Sequence, residues 1–337
     1  MSSTDTSLFA VQEGKTPLGK RLINLAVDYN FIVIFLLVVA IAASLSSNFL
    51  TPGNIANLFQ QASVVGVVAV GMTFVILTGN IDLSVGSVAA LCGMLVAVLM
   101  AQGYDPVVAV VITTFAGMAC GAGMGAISAL AQVPSFIITL AGLVSFRGLT
   151  YLLTDGVPVS GLPAGFATIS STMVPVFPGF AIASMGIIFI ALCIIAGLVL
   201  RYTVFGEYVY ATGGNPEAAR LSGLPTRGMI IAVFAISGLM ASIAGILLTS
   251  RLRIGQPTAA QGLELDAIAA VVLGGTSLFG GRGSILGTFF AVMLLQVLRN
   301  VFNLLGWGSF YQMTVTGIII VAAILLNRFI DHRKGRG

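Results

Sequence analysis

Three carboxylates lie beside long apolar stretches, where an ionisable side chain is costly and is therefore a candidate for function. Asp82 falls in a short polar break between two apolar runs, and Glu264 and Asp266 directly precede a third. Each carboxylate could instead stabilise the start of the following helix, because it accepts backbone N–H bonds there and opposes the helix dipole. The pattern supports capping at least as strongly as substrate contact, and Asn80 and Ser84 belong to the same polar break as Asp82.

The sequence contains no arrangement of side chains that is typical of an enzyme. The single histidine, His332, lies in a polar terminal segment, and Cys92, Cys120 and Cys193 each stand alone in an apolar run. No HExxH motif, no GxSxG motif with a partner histidine and no complete phosphate-binding loop is present. We therefore expect no metal site, no bound cofactor and no nucleotide site, so that any ATP and Mg²⁺ would be used by another subunit.

Amide side chains recur at helical spacing near the ends of two predicted helices. They form two groups, which are Asn54, Asn57, Gln60 and Gln61 in one helix and Gln296, Asn300 and Asn303 in another. Amides offer hydrogen-bond donors and acceptors without the cost of burying a charge. One interpretation is that both groups line the external mouth of a path for a polar solute. Amides bonded to loops or water at the membrane surface are an equally good interpretation.

A short, well-capped helix is predicted in a polar segment between two apolar runs. Asn215 can cap the helix, and Pro216 and Glu217 suit its first turn, where no N–H partner is needed and negative charge is favourable. Gly223 would end it, and Pro225 would prevent any continuation. Such a helix of about two turns could fit a groove on a partner, or it could be only a capped loop.

The elements that must position these residues are long and apolar. Of 337 residues, 58% are hydrophobic and only 8% are charged, whereas charges occupy about a quarter of an ordinary soluble domain. A bilayer core about 30 Å thick requires roughly 20 apolar residues per helix. About ten spans are predicted on this basis, near 30–47, 58–78, 84–102, 107–131, 135–153, 180–200, 228–249, 264–280, 284–304 and 311–329. We predict an all-α, polytopic membrane protein.

The distribution of basic residues predicts the orientation. With an even number of spans both termini lie on one side, and most of the 15 basic residues fall there, as expected of the cytoplasmic side. The predicted regions are a cytoplasmic tail at 1–29, a transmembrane domain at 30–330 with a cytoplasmic loop near 206–227, and a cytoplasmic tail at 331–337. The interval 154–179, rich in Pro, Gly, Ser and Thr, is predicted to be an external loop that could include a short helix.

This topology separates the carboxylates. It places Asp82 on the inner side and both Glu264 and Asp266 on the outer side. We therefore expect that they do not form a single site within one subunit.

Three stretches of the chain resemble one protein family. Residues 77–87 read LTGNIDLSVGS, residues 264–277 read ELDAIAAVVLGGTS, and Glu217-Ala218-Ala219 is followed by Gly223. These stretches resemble the permease subunits of bacterial ATP-binding cassette (ABC) importers for ribose, xylose, arabinose, galactose and related sugars, and the ribose permeases most of all. The resemblance extends over roughly 30–330, and Asn80 departs from the glycine that the family usually has.

The resemblance implies a permease that imports a monosaccharide across the bacterial inner membrane. It implies three partners: a cytoplasmic ABC ATPase, a periplasmic sugar-binding protein and a second permease subunit, expected to form a homodimer. It also implies that the ATPase docks on a coupling loop, whose residues here are Gly214, Asn215, Glu217, Ala218, Ala219 and Gly223. No nucleic-acid partner is expected, because the basic residues are explained by membrane orientation.

Two alternatives remain open at this point. An ion-gradient-driven secondary transporter would place coupling carboxylates near the bilayer midplane, whereas the carboxylates here lie near predicted helix ends. A permease for a non-sugar solute, such as branched-chain amino acids, would be a more distant relative by motif.

Overall fold

The computed structural model describes residues 30–308 and, beyond them, residues 310–312, 314, 315, 317, 318 and 321. The predicted tails at 1–29 and 331–337, and the greater part of the predicted span at 311–329, lie outside the described residues. Within the described part the chain is mainly helical. The elements are α1 (Asn30–Leu45), α2 (Pro52–Leu77), α3 (Val85–Ala101), α4 (Pro106–Ala131), α5 (Ser135–Leu152), α6 (Ala164–Ser171), β1 (Met173–Phe177), β2 (Phe180–Ala183), α7 (Ser184–Tyr202), α8 (Val204–Gly214), α9 (Pro216–Leu221), α10 (Thr226–Leu252), α11 (Leu263–Leu273) and α12 (Ile285–Leu304).

Six of these helices, α2, α4, α5, α7, α10 and α12, are long and apolar enough to cross a membrane. Helices α1 and α3 are apolar but have only 16 and 17 residues. The predicted span at 264–280 is wrong, because α11 has 11 residues and ends at Leu273. At 1.5 Å per residue α11 is only about 16 Å long, about half of a bilayer core.

The predicted external loop at 154–179 contains more structure than the sequence indicated. It includes the short helix α6 and the strand β1, which pairs antiparallel with β2. Backbone bonds also join Val159 to Gly255, with the two N–H···O distances at 2.9 and 2.8 Å. The loop is therefore attached to the segment that follows α10.

Helices α2 and α10 form the centre of the bundle. The second half of α2 is apolar on every side and is buried throughout, as expected of a helix with no polar face. Helix α10 packs against α2, α3 and α4. Helices α4, α5 and α7 bury only a minority of their side chains inside the bundle, which suits contact with lipid or with another membrane subunit.

Several helices begin with the same local signal, a capping side chain followed by proline. Thr51, Asp105 and Asn215 each accept a backbone N–H bond from two or three residues further along. In the first turn of a helix a backbone N–H has no carbonyl partner within the helix. Proline, which has no N–H, is therefore favoured there. These starts are therefore determined by local sequence.

Glycines allow α4 and α10 to approach closely. A Cβ atom at Gly121 would overlap the carbonyl oxygen of Phe234, and one at Gly238 would overlap the carbonyl oxygen of Gly117. Because backbone atoms form these contacts, they cannot move aside as a flexible side chain can. The stripe of small residues on α4 is therefore a helix-packing surface.

Replacing Gly121 with alanine is expected to destabilise the bundle. Overpacking of this kind costs about 1–3 kcal/mol, so the thermal unfolding midpoint of the purified protein in detergent should fall. Gly123→Ala on the same helix is the matched control, since a Cβ there has no atom within 4 Å. Equal midpoints for the two variants would contradict the close packing of α4 on α10.

Candidate functional site

The predicted short helix is present as α9, a helix of six residues between α8 and α10. The Asn215 side-chain oxygen accepts a hydrogen bond from the Ala218 N–H at 2.9 Å. Gly223 follows the helix in the left-handed region, with φ of 84°, which a glycine adopts without strain. Every capping feature expected from the sequence is therefore used.

Helix α9 presents a mixed surface outward. Glu217 and Arg220 form an exposed ion pair at 2.7 Å, and the hydrogen bond from Arg220 lowers the pKa of the Glu217 carboxyl below its ordinary value. Leu221 has 74% of its surface exposed, whereas Ala219 is buried. An exposed ion pair adds little to stability, so the surface of α9 is not explained by the folding of this chain.

The end of α8, which leads directly into α9, meets two other elements through the backbone. A Cβ atom at Gly213, near the end of α8, would overlap the carbonyl oxygen of Leu77 at the end of α2. The Gly281 N–H donates to the same Leu77 oxygen at 2.9 Å, and the Tyr210 hydroxyl donates to the Gly283 oxygen at 2.9 Å. A displacement of α9 would therefore reach α2 and the loop before α12 through the end of α8.

The polar break between α2 and α3 is organised by Asp82, which is 1% exposed. Its Oδ1 atom accepts from the Ser84 N–H at 3.0 Å and from the Ser84 hydroxyl at 2.6 Å. Its Oδ2 atom accepts from the Ser237 hydroxyl of α10 at 2.8 Å. Asn80 donates to Thr78 within the same break. Asp82 thus caps locally and also ties the break to α10.

A second break lies between α10 and α11, and it corrects the predicted separation of the carboxylates. A Cβ atom at Gly86 would overlap the Glu264 carboxylate, so Glu264 lies only one helical turn along α3 from Asp82. The two carboxylates therefore do not lie at opposite ends of the bundle. The reason is that the chain after α10 is not helical and returns along α3 before α11 begins.

Charged residues from neighbouring helices surround this second break. The Nη1 atom of Arg147 on α5 donates to the carbonyl oxygens of Pro257 and Ala259, at 3.0 and 2.8 Å. Asp266, in the first turn of α11, pairs with Arg299 of α12 at 2.6 Å. Arg147 was not among the predicted site residues. Its position as the only charge inside an apolar helix was the signal that could have identified it.

The two amide groups meet at one point. Asn300 exchanges hydrogen bonds of 2.9 and 2.8 Å with Asn54 of α2, and both Asn300 and Gln296 are buried. Asn303 is exposed and accepts a bond from Gln312 at 2.8 Å. On α2, the side chain of Asn57 is exposed, and those of Gln60 and Gln61 are partly buried. Some amides at this end of the bundle thus join α2 to α12, and others, such as Asn57 and Asn303, are exposed.

A family model described as branched-chain amino acid transport system / permease component matches residues 54–324, most of the chain. The chain belongs to this permease family. Membership makes it a transport subunit rather than an enzyme and, with the apolar helices, a multi-pass membrane protein. Permeases of ABC importers work with an ATPase, a periplasmic binding protein and a second permease.

Curated relatives of this permease cover nearly its whole length. The ribose import permease protein RbsC of Bacillus subtilis is 45% identical over 300 residues, which are 88% of this chain and 91% of the relative. RbsC of Escherichia coli is 42% identical over 332 residues, 95% of this chain and 99% of the relative. The xylose transport system permease protein XylH of Escherichia coli is 32% identical, over 94% of this chain and 95% of the relative. No solved structure matches the chain.

Proposed function

We propose that this chain is the membrane-spanning permease subunit of an ABC importer that carries a monosaccharide, ribose or a related pentose or hexose, across the bacterial inner membrane. The observation that carries the proposal is α9, a capped helix whose exposed surface has no role in the fold and which follows directly on the end of α8, where the chain meets α2 and the loop before α12. An exposed helix of this kind can transmit the movement of a bound partner to the helices of the bundle.

The relatives favour a sugar over an amino acid. The family description names branched-chain amino acids, but relatives that match at 45% and 42% identity are ribose permeases, and another at 32% is a xylose permease. The motifs at 77–87 and 264–277 likewise resemble those of permeases for ribose, xylose and related sugars. Import of a pentose therefore fits the chain better than import of leucine, isoleucine or valine.

In this proposal the chain supplies one wall of the pore and its partners supply the energy and the substrate. A cytoplasmic ATPase binds ATP and Mg²⁺ and docks on α9, and a periplasmic binding protein delivers the sugar to the opposite end. Two copies of this permease form the pore. The exposed amides Asn57 and Asn303, with Gln60 and Gln61 beside them, lie at the external mouth.

Reconstitution tests this function. The permease is placed in proteoliposomes with candidate ATPase and binding-protein subunits, and uptake of labelled ribose, xylose and leucine is measured. We expect ribose or xylose uptake that requires ATP and is insensitive to a protonophore. Uptake of leucine alone would contradict the sugar assignment. Uptake that needs no ATP and collapses with the proton gradient would favour the secondary transporter instead.

A further inference from the structure

The chain between α10 and α11 is irregular and runs back along α3. At its start, Gly255 packs against Ala97 near the end of α3, and at its end Glu264 and the Ala260 oxygen pack against Gly86 near the beginning of α3. These two points are separated by about 16 Å along α3, at 1.5 Å per residue. This segment, residues 254–262, is called the α10–α11 break below.

The α10–α11 break is not enclosed by its own chain. Thr258 and Gln261 are exposed, and Leu265, just after the break, is 64% exposed. Non-helical backbone at membrane depth is tolerated only where it is buried in protein or lines a water-filled cavity, because lipid cannot satisfy its N–H and C=O groups. Lipid therefore does not cover this face.

Charge on the same face points to water rather than to a dry subunit contact. Arg147 and Glu264 are each only partly buried and are close enough to interact electrostatically. Glu264 packs against Gly86, one turn of α3 before Ala89, and the Ala89 oxygen meets Gly245 of α10. At 1.5 Å per residue the Glu264 carboxylate therefore lies roughly 15 Å from the end of α10 and roughly 24 Å from its start. Charged side chains at such depth face a bundle interior or an aqueous cavity.

The chemistry of the pair fits a sugar. A guanidinium group offers several N–H donors in a fixed plane, and a carboxylate offers only acceptors. Sugar hydroxyls can donate to the carboxylate and accept from the guanidinium group. The neighbouring pair Asp266–Arg299 continues the polar surface to α12, where Arg299 is next to Asn300.

We propose that the translocation path runs along the α10–α11 break, and that Arg147 and Glu264 contact the hydroxyl groups of the passing sugar. This inference rests on the proposed function, because it takes the monosaccharide as the solute. It assigns to the path two residues that lie deeper than the amides at the external mouth.

Accessibility of an introduced cysteine tests the path. Cys92, Cys120 and Cys193 are first replaced with alanine, and Leu265→Cys is compared with Phe115→Cys on α4, whose side chain is 61% exposed. The assembled transporter is treated with a charged, membrane-impermeant thiol reagent. We expect the cysteine at 265 to react at least about tenfold faster, because a charge enters hydrocarbon only at a cost of several kcal/mol. Ribose transport during labelling should slow that reaction.

Two results distinguish an error in the proposed translocation path from an error in the proposed function. If the unlabelled Leu265→Cys transporter shows ATP-dependent ribose uptake but the two cysteines react equally slowly, the path lies elsewhere and the importer assignment stands. If the cysteine-free transporter with both partners shows no ATP-dependent uptake of any sugar tested, the proposed function fails first.

The roles of the two side chains need their own variants. Glu264→Gln and Arg147→Gln should each raise the ribose concentration for half-maximal uptake by about tenfold, the effect of losing a hydrogen bond to a charged group at roughly 1.4 kcal/mol. Asp155→Asn in the external loop is the matched control and should behave as the unmodified chain. Lower membrane abundance with an unchanged half-maximal concentration would show a structural role only and would overturn the assignment of these residues.

Discussion

Replacing residues 215–223 with a Gly–Ser linker of equal length is expected to abolish ATP-dependent uptake while the bundle stays folded. Helix α9 contributes little to the core, because Ala219 is its buried residue and the Glu217–Arg220 pair and Leu221 face outward. The junction of Gly213 with Leu77 lies before the replaced segment and is retained. Pull-down of the ATPase subunit and ribose uptake in proteoliposomes measure the effect, and the thermal unfolding midpoint measures the fold.

A single substitution should weaken docking of the ATPase while it leaves helix α9 folded. Leu221→Asp is expected to weaken ATPase binding by about thirtyfold, because an exposed apolar anchor that enters a partner groove contributes about 2 kcal/mol. Val157→Asp, at an exposed apolar position in the predicted external loop, is the control and should bind the ATPase normally. Normal uptake and ATPase binding by the linker variant would show that α9 has no docking function.

Helix α9 could be predicted in detail because all its determinants are local. The cap Asn215, the proline at 216 and the terminating Gly223 lie within nine positions, and each acts on its immediate neighbours. The resemblance of Glu217-Ala218-Ala219 to a coupling motif then pointed to its use. Local chemistry and family pattern agreed, and the structure places the helix outside the buried core.

The polar break between α2 and α3 and the α10–α11 break could be predicted only in part from the sequence. Composition identified Asp82, Glu264 and Asp266 as residues that begin helices, and the structure places all three there. The predicted separation of Glu264 from Asp82 was wrong because the count of spans assumed that the chain leaves the bundle after α10. The chain instead returns along α3 and brings Glu264 next to Gly86, and α11 stops after 11 residues.

Arg147 was missed for a different reason. Its hydrogen-bond partners are the carbonyl groups of Pro257 and Ala259, more than 100 positions away in the chain. Every residue has a backbone carbonyl group, so a hydrogen bond to a carbonyl oxygen cannot be predicted from residue types. Only the isolated charge in an apolar helix was visible.

Replacing Asp82 with alanine is expected to destabilise the bundle by about 3 kcal/mol. The change leaves the Ser84 N–H, the Ser84 hydroxyl and the Ser237 hydroxyl without their acceptor, and a buried donor without a partner costs about 1–3 kcal/mol. The thermal unfolding midpoint in detergent reports the loss. Asp105→Ala is the matched control, because Asp105 also accepts the N–H two residues on but is exposed; an exposed cap contributes about 1 kcal/mol.

Asp82→Asn distinguishes a capping carboxylate from an ion-coupling one. The amide oxygen still accepts from Ser84, and the Ser237 hydroxyl can turn to accept from the new NH₂ group, so both the unfolding midpoint and ATP-dependent uptake should stay close to normal. A carboxylate that carried a coupling proton would lose its function in the amide, because an amide does not titrate. Loss of uptake in Asp82→Asn at an unchanged midpoint would therefore contradict the capping role and support the rival, gradient-driven mechanism.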